Sequence, residues 1–405
     1  MNYKTVKYSE IGKIKSGKRL PKGYSVSEKK SNNKYIRVRD INNGSIDSSI
    51  VQYISDEAAE KLERYRVKTN DVIISVVGTV GAIAQIDETL DGAYLTENCD
   101  NLQVDESLCI KDYLKYYLLS KDGSKEIIAN TVGSTQPKLP IYGIENFNIK
   151  LPNINDQKRI VKLLNSIDNK ISKNNEINNN LLQLCRYKYD ELNKKYDEWD
   201  LVKINDLNLE VTDYVANGSF KSLADNVTLY DDKEYALYVR NTDLKVNFTD
   251  KRKYVDQKSY EFLKKSKLKG GELIISNVGD VGSVFICPHL NMPMTLGSNV
   301  IMLYETDSHY YNYFLYFFFT SVYGQYMIGG ITGGSAQPKF NKTDFRNMEI
   351  KFPAFGELDK FNAEIDPIYK KYELNIKENE KLSELRDTLL PKLMNGEIDL
   401  DNIEL

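Results

Sequence analysis

The sequence NDVIISVVGTVG at residues 70–81 returns in altered form as GELIISNVGDVG at residues 271–282, which is 201 residues later. GSTQPK at 133–138 and GSAQPK at 334–339 are separated by the same 201 residues. Several matches in the same order at one offset indicate an internal duplication. The chain therefore contains two copies of a segment of about 200 residues.

The duplication also bears on an aromatic stretch that is apolar enough to suggest a membrane span. YYNYFLYFFFTSVYGQYMI occupies residues 310–328, and its YFLYFFFT part (313–320) corresponds to YLKYYLLS at 113–120. The earlier copy contains Lys115 within this stretch. A buried aromatic helix is therefore predicted.

Each copy begins with β-type runs and turns and ends in a pattern typical of a long helix. No Gly or Pro occurs between Pro152 and Gly218. The first helix is predicted to be about 40 residues and 60 Å long, with Asn155 or Asp156 as its N-cap. Its seam comprises Ile160, Leu164, Ile167, Ile171, Asn174, Asn178, Leu181 and Cys185.

The second helical segment repeats this seam with Phe361, Ile365, Ile368, Tyr372, Asn375, Asn379 and Leu382. Asn375 and Asn379 lie 201 residues after Asn174 and Asn178. Buried asparagines can fix the register of paired helices, but biased codon usage could also scatter asparagine through the chain, so both explanations stay open. Pro367 is predicted to kink or restart the second helix, Pro391 to close it, and Gly396 to end a last short helix.

Two seams in one chain predict an antiparallel pair of long helices, because neither seam can stay exposed to water. The predicted fold class is α+β, with two mixed α/β domains in tandem and two long helices that form an antiparallel coiled coil with pseudo-twofold symmetry. The predicted boundaries are 1–152 and 199–354 for the globular domains and 153–198 and 355–405 for the helical regions.

Charge is distributed unevenly along the 405 residues, although 55 basic and 58 acidic residues give a net charge of only −3. Residues 13–39 contain ten basic residues and one acidic residue, and residues 245–269 contain nine and three. The tail 356–405 contains seven basic and thirteen acidic residues. The two basic runs favour phosphate binding by both globular domains, although a solvated lysine-rich surface is the plainer alternative.

Arg37-Val38-Arg39-Asp40 alternates like a strand, and its counterpart at the 201 offset is Tyr238-Val239-Arg240-Asn241. Arg and Asn read guanine and adenine bidentately, although a shared framework strand explains Arg39 and Arg240 equally well. The repeated Gln-Pro-Lys loops are predicted where each domain joins its helix, either bracing the domain or contacting DNA. The candidate DNA-binding residues are Lys18, Arg19, Lys22, Arg37, Arg39, Thr79, Gln136, Lys138, Lys221, Arg240, Asn241, Lys245, Asp280, Gln337 and Lys339.

Little in the sequence points to catalysis or to a metal site. Neither the four cysteines nor His289 and His309 recur between the copies, which argues against a duplicated metal site. The Gly78–Gly81 and Gly279–Gly282 runs are interpreted as turns between strands, because no phosphate-binding motif is completed. The cysteine spacing and the absence of an apolar run in MNYKTVKYSE predict a reducing, cytoplasmic location.

Taken in order, these motifs resemble the specificity subunit of type I restriction-modification systems over essentially the whole chain. The motifs that carry the resemblance are EIGKIKSG (10–17), the two IIS-x-V-G-x-V-G runs, GS-x-QPK, the IKLP…QKRI…ID passage (149–168) and LRDTLLPKLMNGEI (385–398). Glu357-Leu358 in place of Asp156-Gln157, and Pro367, depart from the pattern where the second helix begins.

The resemblance implies a non-catalytic subunit whose two target recognition domains each read one half of a split double-stranded DNA target. It also implies that the helices dock two methyltransferase subunits and that a restriction subunit joins the larger complex. S-adenosylmethionine would belong to the methyltransferase partner, with no cofactor, metal or membrane contact for this chain. A coiled-coil scaffold without a DNA role, a methylation-only system and an enzyme with unrecognised motifs remain the alternatives.

Overall fold

The computed structural model describes residues 2–42, 44–48, 50–245, 248, 252–305 and 310–398. His309, five residues of the second basic run and the end of the acidic tail lie outside the described residues. The chain divides into a first unit (Met1–Ser172 with Glu380–Leu405) and a second unit (Lys173–Asn379). Each unit therefore contains one globular domain and a part of both long helices.

The elements that follow run from the start of the chain to the end of the first long helix. The strands are β1 (Tyr3–Lys7), β2 (Gly12–Ser16), β3 (Lys34–Ile36), β4 (Ile41–Asn42), β5 (Ser45–Ile46), β6 (Gln52–Tyr53), β7 (Val72–Ser75), β8 (Ile83–Gln85), β9 (Tyr94–Leu95), β10 (Cys99–Val104) and β11 (Asn148–Pro152). The helices are α1 (Tyr8–Ile11), α2 (Asp56–Lys61), α3 (Lys111–Leu119), α4 (Lys121–Asn130), α5 (Ile141–Glu145) and α6 (Ile154–Asn193).

The rest of the chain repeats this order with local differences. The strands are β12 (Asp200–Lys203), β13 (Glu210–Asp213), β14 (Leu229–Tyr230), β15 (Ala236–Val239), β16 (Lys253–Val255), β17 (Lys267–Leu268), β18 (Leu273–Ser276), β19 (Val284–Ile286), β20 (Met294–Leu296), β21 (Val300–Tyr304) and β22 (Glu349–Phe352). The helices are α7 (Phe220–Asn226), α8 (Asn241–Lys245), α9 (Gln257–Phe262), α10 (Asn312–Thr320), α11 (Val322–Ile331), α12 (Lys342–Arg346) and α13 (Phe355–Met394).

The repeated VIIS and LIIS sequences form the central strands of equivalent antiparallel sheets. The strand order is β2-β10-β7-β8 in the first unit and β13-β21-β18-β19 in the second. All four residues of β7 and of β18 are buried, as expected of β-branched runs covered on both faces. Gly81 and Gly282 have φ values of 85° and 92°, so the glycine runs are turns between strands, as predicted.

A second sheet in each unit contains a parallel strand pair. β3 lies between β6 and β9 in the first unit, and β15 lies between β16 and β20 in the second. The pairs β3–β9 and β15–β20 are parallel, and their carboxyl ends lead into the loops described below. These loops are surface segments placed by a rigid sheet, which is a common position for binding residues.

The predicted long helices are present, and α6 and α13 contain 40 residues each. The N-cap prediction for α6 is wrong by two to three positions, because Asn153 Oδ1 accepts the backbone N–H of Asp156 at 3.0 Å. α13 continues through Pro367 without restarting there, and the prediction that Pro391 closes the helix is wrong because α13 continues through that proline too. The buried Ile365 and Tyr369 flank Pro367 and hold the helix by packing despite its missing N–H.

The aromatic stretch forms two helices instead of one. α10 is largely buried, and α11 begins after Ser321, whose Oγ accepts the backbone N–H of Gly324 at 3.1 Å. In the part of the chain that the structure describes, no helix is long and apolar enough to cross a membrane. The aromatic side chains of α10 belong to the core of the second unit.

Within each unit, the segments of α6 and α13 run antiparallel. In the first unit Arg386 Nη1 lies 3.1 Å from Asp168 Oδ1. In the second unit Lys188 pairs with Glu364 at 2.7 Å and Lys195 with Glu357 at 2.6 Å, so rising numbers in α6 meet falling numbers in α13. The predicted α+β class with paired long helices is confirmed.

Candidate nucleic-acid interface

The chain leaves β3 in a 3₁₀ turn (Val38–Asp40) that is closed by an arginine–aspartate pair. The backbone N–H of Arg37 donates to Asp40 Oδ2 at 2.8 Å. Arg37 Nε donates to the same oxygen at 3.1 Å, and Nη2 donates to Oδ1 at 2.8 Å. The Asp40 side chain is fully buried and that of Arg37 is 13% exposed. The guanidinium therefore acts within the fold, since its fork is already occupied.

The second unit contains the same turn after β15. The backbone N–H of Arg240 donates to Asp243 Oδ2 at 2.8 Å. Its Nε donates to Oδ2 at 2.9 Å and its Nη2 to Oδ1 at 2.7 Å. The sequences R-V-R-D (37–40) and R-N-T-D (240–243) thus form one repeated Arg-x-x-Asp turn.

Strand register decides which residues of the two turns correspond. Ile36 lies opposite Leu95, and Val239 lies opposite Leu296. The leucines are 201 residues apart, whereas Ile36 and Val239 are 203 apart, because the connection between the parallel strands is two residues shorter in the second unit.

The predicted counterparts of the turn residues are therefore wrong. Arg37 corresponds to Arg240, not to Tyr238, and Asp40 corresponds to Asp243, not to Asn241. The prediction of a strand over Arg37–Asp40 is wrong as well, since β3 ends at Ile36 and the Arg37–Asp40 pair bends the chain into a turn.

A groove of about 430 Å³ lies beside the Arg37–Asp40 turn. Arg39 lies in its lining with an exposed side chain, and within the described residues it makes no hydrogen bond or ion pair. Arg19 Nε donates to Glu97 Oε1 at 2.6 Å across the same groove. The groove thus presents a free guanidinium and a paired carboxylate.

Glu97 remains ionised in this position. Partial burial raises the pKa of its carboxyl, but hydrogen bonds from Arg19, from the Thr96 hydroxyl and from a backbone amide outweigh burial, so the pKa is lowered. Thr96 Oγ1 donates to Glu97 Oε2 at 2.9 Å. A carboxylate can accept further hydrogen bonds, because each oxygen has two lone pairs.

Gly17 determines how closely the basic segment approaches this groove. Its backbone N–H donates to the carbonyl of Cys99 at 2.9 Å, and that of Lys18 donates to the carbonyl of Leu95 at 2.8 Å. A Cβ at position 17 would lie 2.0 Å from the Thr96 carbonyl oxygen, so only glycine permits the contact. Lys18, Arg19 and Lys22 follow with exposed side chains.

In the second unit, three candidate residues, Asn241, Lys245 and Asp280, lie in one hydrogen-bonded group. Lys245 Nζ lies 2.5 Å from Asp280 Oδ2, and Asn241 Nδ2 donates to that oxygen at 3.1 Å. Hydrogen bonds from Lys245, Ser283 and Asn241 lower the pKa of Asp280 to about 2 although partial burial opposes the shift. Asn241 Oδ1 is buried without a partner among the described residues, so a bidentate adenine contact is blocked in this conformation.

The repeated Gln-Pro-Lys loops lie beside the glycine turns. Lys138 pairs in β-bridges with Val77 and Val132, and Lys339 pairs with Val278 and Gly333. The prediction that these loops join the domains to the helices is wrong, because β11 and β22 directly precede α6 and α13. Gln136, Lys138, Gln337, Lys339 and Thr79 all have exposed side chains, as does Lys221 on α7.

The four seam asparagines lie between α6 and α13 in the second unit. Asn174 Nδ2 donates to Asn379 Oδ1 at 2.9 Å and to Glu378 Oε2 at 2.8 Å. Asn375 Nδ2 donates to Asn178 Oδ1 at 2.8 Å. Asn174 and Asn375 are each 1% exposed, so they supply a polar layer inside the helix pair.

The apolar helix positions are buried to different degrees. Ile160, Leu164 and Ile167 are buried, whereas Ile171, Leu181, Ile368, Tyr372 and Leu382 are half-buried. The seam of α13 shifts by one residue, because Tyr369 packs into the core more completely than Ile368. Regular heptad counting missed this shift.

Sequence reasoning also missed Glu97 and the Arg-x-x-Asp turn. The turn could have been found from R-V-R-D and R-N-T-D had the offset been allowed to vary by two residues. Glu97 could not be found from the internal repeat, because the residue 201 positions later is Ser298.

The described residues include four free, buried cysteines and no metal-ligand cluster. Among the described residues, no group of three or more His, Cys, Asp or Glu side chains is arranged to hold a metal ion. Cys99, Cys109, Cys185 and Cys287 are buried thiols. Burial raises the pKa of Cys185 to about 11, which keeps it protonated near neutral pH.

Proteins similar to this chain include specificity subunits of type I restriction enzymes. The type I restriction enzyme MjaIX specificity subunit of Methanocaldococcus jannaschii is 24% identical over 329 residues, which cover 73% of this chain and 70% of that protein. The MjaVIII specificity subunit of the same organism is 26% identical over 178 residues, covering 42% of this chain and 40% of the relative. The alignment therefore spans less than half of the MjaVIII subunit.

A solved structure, the S subunit of a type I restriction-modification system from M. genitalium, has a similar fold. Its TM-score is 0.56 at 14% identity, with 97% of this chain and 96% of that chain covered. The family model of the type I restriction modification DNA specificity domain matches residues 1–183 and again residues 196–384. With both duplicated segments matched, this chain belongs to the type I restriction-modification DNA specificity family.

Proposed function

We propose that this chain is the DNA sequence-specificity subunit of a type I restriction-modification complex, and that each globular domain reads one half of a bipartite double-stranded DNA target. The observation that carries the proposal is the repeated Arg-x-x-Asp turn, which has the same hydrogen-bonded arginine–aspartate pair and different exposed side chains in the two units. A fixed frame with variable side chains is what two readers of different sequences require.

The charge distribution supports contact with DNA phosphates. Lys18 and Lys22 are exposed in the first basic run, and Lys138 is exposed beside the glycine turn. Contacts of lysine and arginine with phosphates release counterions, so binding weakens as salt rises. Lys138→Ala should lower the salt slope by about one if its ammonium contacts a phosphate.

Catalysis is assigned to the partner in this proposal. The methyltransferase subunits would bind S-adenosylmethionine and transfer the methyl group, and this chain would hold them on the target without a cofactor of its own. The purified chain with S-adenosylmethionine, Mg²⁺ and DNA should show no turnover. Product formation would favour the enzyme alternative.

Exposed apolar side chains on the helices provide a surface for those partners. Ile177 and Leu184 lie seven residues apart on α6 and are 41% and 43% exposed, and Leu374 on α13 is 60% exposed. Exposed leucine and isoleucine at helical spacing favour docking of a protein partner. Ile177→Ser with Leu184→Ser should weaken methyltransferase binding, whereas Asn180→Ser, at an exposed position between them, should not.

A domain replacement tests the central claim. Residues 200–352 would be exchanged for the equivalent domain of a relative, and methylated adenines would be mapped in a host that carries the chain and its methyltransferase partner. One half of the methylated sequence should change while the other half stays intact, with half-site centres about one DNA turn apart. Simultaneous change of both halves would contradict the assignment of one domain to one half.

Salt dependence separates this proposal from a scaffold without a DNA role. Binding of the complex to target DNA would be measured between 50 and 200 mM salt, where a protein with 6–10 phosphate contacts loses about 10³- to 10⁵-fold in affinity. Binding that is absent or indifferent to salt would favour the scaffold.

A further inference from the structure

The Arg-x-x-Asp turn presents two side chains between its paired arginine and aspartate. In the first unit these are Val38 and Arg39, and in the second unit they are Asn241 and Thr242. Val38 and Asn241 are half-buried, whereas Arg39 and Thr242 are exposed. The turn therefore offers one outward position per unit, which holds a guanidinium in the first and a hydroxyl in the second.

A second residue beside the turn, Glu97, also differs between the two units. The backbone N–H of Thr96 donates to the Ile36 carbonyl at 3.1 Å, and that of Gly297 donates to the Val239 carbonyl at 2.7 Å. These bonds align Thr96 with Gly297, so Glu97 corresponds to Ser298. Arg39 and Glu97 of the first unit are thus replaced by residues with hydroxyls, Thr242 and Ser298, in the second.

The first-unit groove contains groups that match base edges. The Glu97 carboxylate accepts a hydrogen bond from Arg19 and has further lone pairs that can accept one from an exocyclic amine. A free guanidinium matches the O6 and N7 acceptors of guanine, and a carboxylate matches the N4 amine of cytosine. Guanine and cytosine present these groups side by side at the major-groove edge of one base pair.

We infer that Arg39 and Glu97 are specificity-determining residues that together read one G·C base pair in the half-target of the first unit, and that Thr242 and Ser298 take their place in the second. This inference rests on the proposed function. The roles are split within the turn: Arg37 and Asp40 position the outward side chain, and Arg39 contacts the base.

The test exchanges the two pairs in the full chain. Arg39→Thr with Glu97→Ser gives the first unit the side chains of the second, and Thr242→Arg with Ser298→Glu does the reverse. Each variant is expressed with the methyltransferase partner, and the methylated sequences are mapped. The first variant should lose one G·C requirement in one half only, and the second should gain such a requirement in the other half.

Binding to synthetic duplexes gives the magnitude. Replacing the required G·C pair by A·T should weaken the wild-type complex about 5- to 150-fold, and the Arg39→Thr, Glu97→Ser complex by less than about 3-fold. Arg39→Lys retains the charge without the fork, so discrimination should fall while the salt slope stays. Arg64→Thr, at an exposed position outside the candidate DNA-binding residues, is the matched control, and discrimination should remain.

Three results would separate the claims. An unchanged methylated sequence in both variants would overturn the inference, and so would uniform weakening on all duplexes, since that is the behaviour of a phosphate contact. A wild-type complex that bound all the duplexes equally well would instead overturn the proposed function. Circular dichroism and melting of each variant verify that the fold is retained.

Discussion

The contacts between the globular domain and the long helices are charged in the first unit and aromatic in the second. In the first unit the Tyr116 hydroxyl donates to Asp168 Oδ2 at 2.6 Å, and Arg386 pairs with the other oxygen of Asp168 at 3.1 Å. The corresponding positions in the second unit, 201 residues away, are Phe317, Tyr369 and Cys185. A charged network in one unit is therefore replaced by an aromatic and apolar cluster in the other.

Further neighbours follow the same division. Lys115 is buried with its ammonium 4.2 Å from the centre of the Tyr116 ring, and its counterpart is Tyr316. In the second unit Phe317 lies 6.0 Å from the ring of Tyr189 and 6.5 Å from that of Phe361. The same backbone arrangement is compatible with both sets of side chains. Buried charges are tolerated when they are paired, and buried aromatic rings are stable when they pack closely.

The largest effect is expected from removing an aromatic ring of the second unit. Phe317→Ala leaves a cavity beside Tyr189 and Phe361 and should cost about 3–5 kcal/mol. Tyr116→Phe, at the equivalent position of the first unit, keeps the ring, loses the hydroxyl that contacts Asp168 and Asn165, and should cost about 1–2 kcal/mol. Hydrogen exchange of the α10 and α3 amides measures each unit separately. Equal costs would contradict the contrast between the units.

The charged network of the first unit should depend on its partly buried arginine. Arg386→Leu removes the ion pair of Asp168, leaves the Tyr116 hydroxyl as its hydrogen-bond donor, and should cost about 2–3 kcal/mol. Lys381→Leu, at an exposed position on the same helix, is the control and should change stability by less than about 0.5 kcal/mol. Urea denaturation of the full chain measures both. A neutral Arg386→Leu variant would show that packing dominates here too.

The asparagine seam is a polar exception inside the second unit, and its removal should stabilise the chain. Asn375 Oδ1 has no hydrogen-bond partner among the described residues. Asn174→Leu with Asn375→Leu should raise the free energy of unfolding by about 1 kcal/mol while loosening helix register. Melting reports the first effect, and spin-label distances between α6 and α13 report the second. A destabilised variant of unchanged register would contradict the prediction.

Buried Lys115 should make the first unit more stable at alkaline pH. Burial lowers the pKa of its ammonium despite the opposing charges of Asp168 and Asp112. The folded state therefore binds fewer protons than the unfolded state between the lowered pKa and the ordinary value of 10.5, so stability rises with pH through that window. Lys115→Met should add about 1 kcal/mol at pH 7 and less as the pH approaches 10.5. A pH-independent gain would point to packing alone.

The smallest effect is expected at His289 in the second unit. A hydrogen bond with Glu373, 3.0 Å away, raises the pKa of His289 against partial burial, and Lys377 and Glu272 add smaller opposing effects. The stabilisation is fully present below the ordinary value of 6.5 and is lost as the pH rises through the raised pKa. His289→Gln should cost less than about 1 kcal/mol at low pH and nothing above the raised pKa, as melting between pH 5 and 9 would show.

The duplication, the β-runs, the glycine turns and the lengths of the long helices could be predicted from the sequence. These features depend on local periodicity and repetition, which one strand or helix reveals by itself. The seam asparagines were recognisable for the same reason, since their spacing follows that of the apolar positions. The break between α10 and α11 could not be predicted, because the sequence does not show that the Ser321 hydroxyl caps α11.

The sequence by itself therefore determined that two similar domains alternate with two long helices. Only the tertiary structure decided that Arg37 corresponds to Arg240, that Glu97 joins Arg39 at one groove, and that α13 continues through Pro367. Each of these depends on contacts between residues far apart in the chain: strand register, a parallel pair whose connection differs by two residues, and burial on both sides of a proline. Local pattern carries no record of such contacts, because they form only when the chain packs.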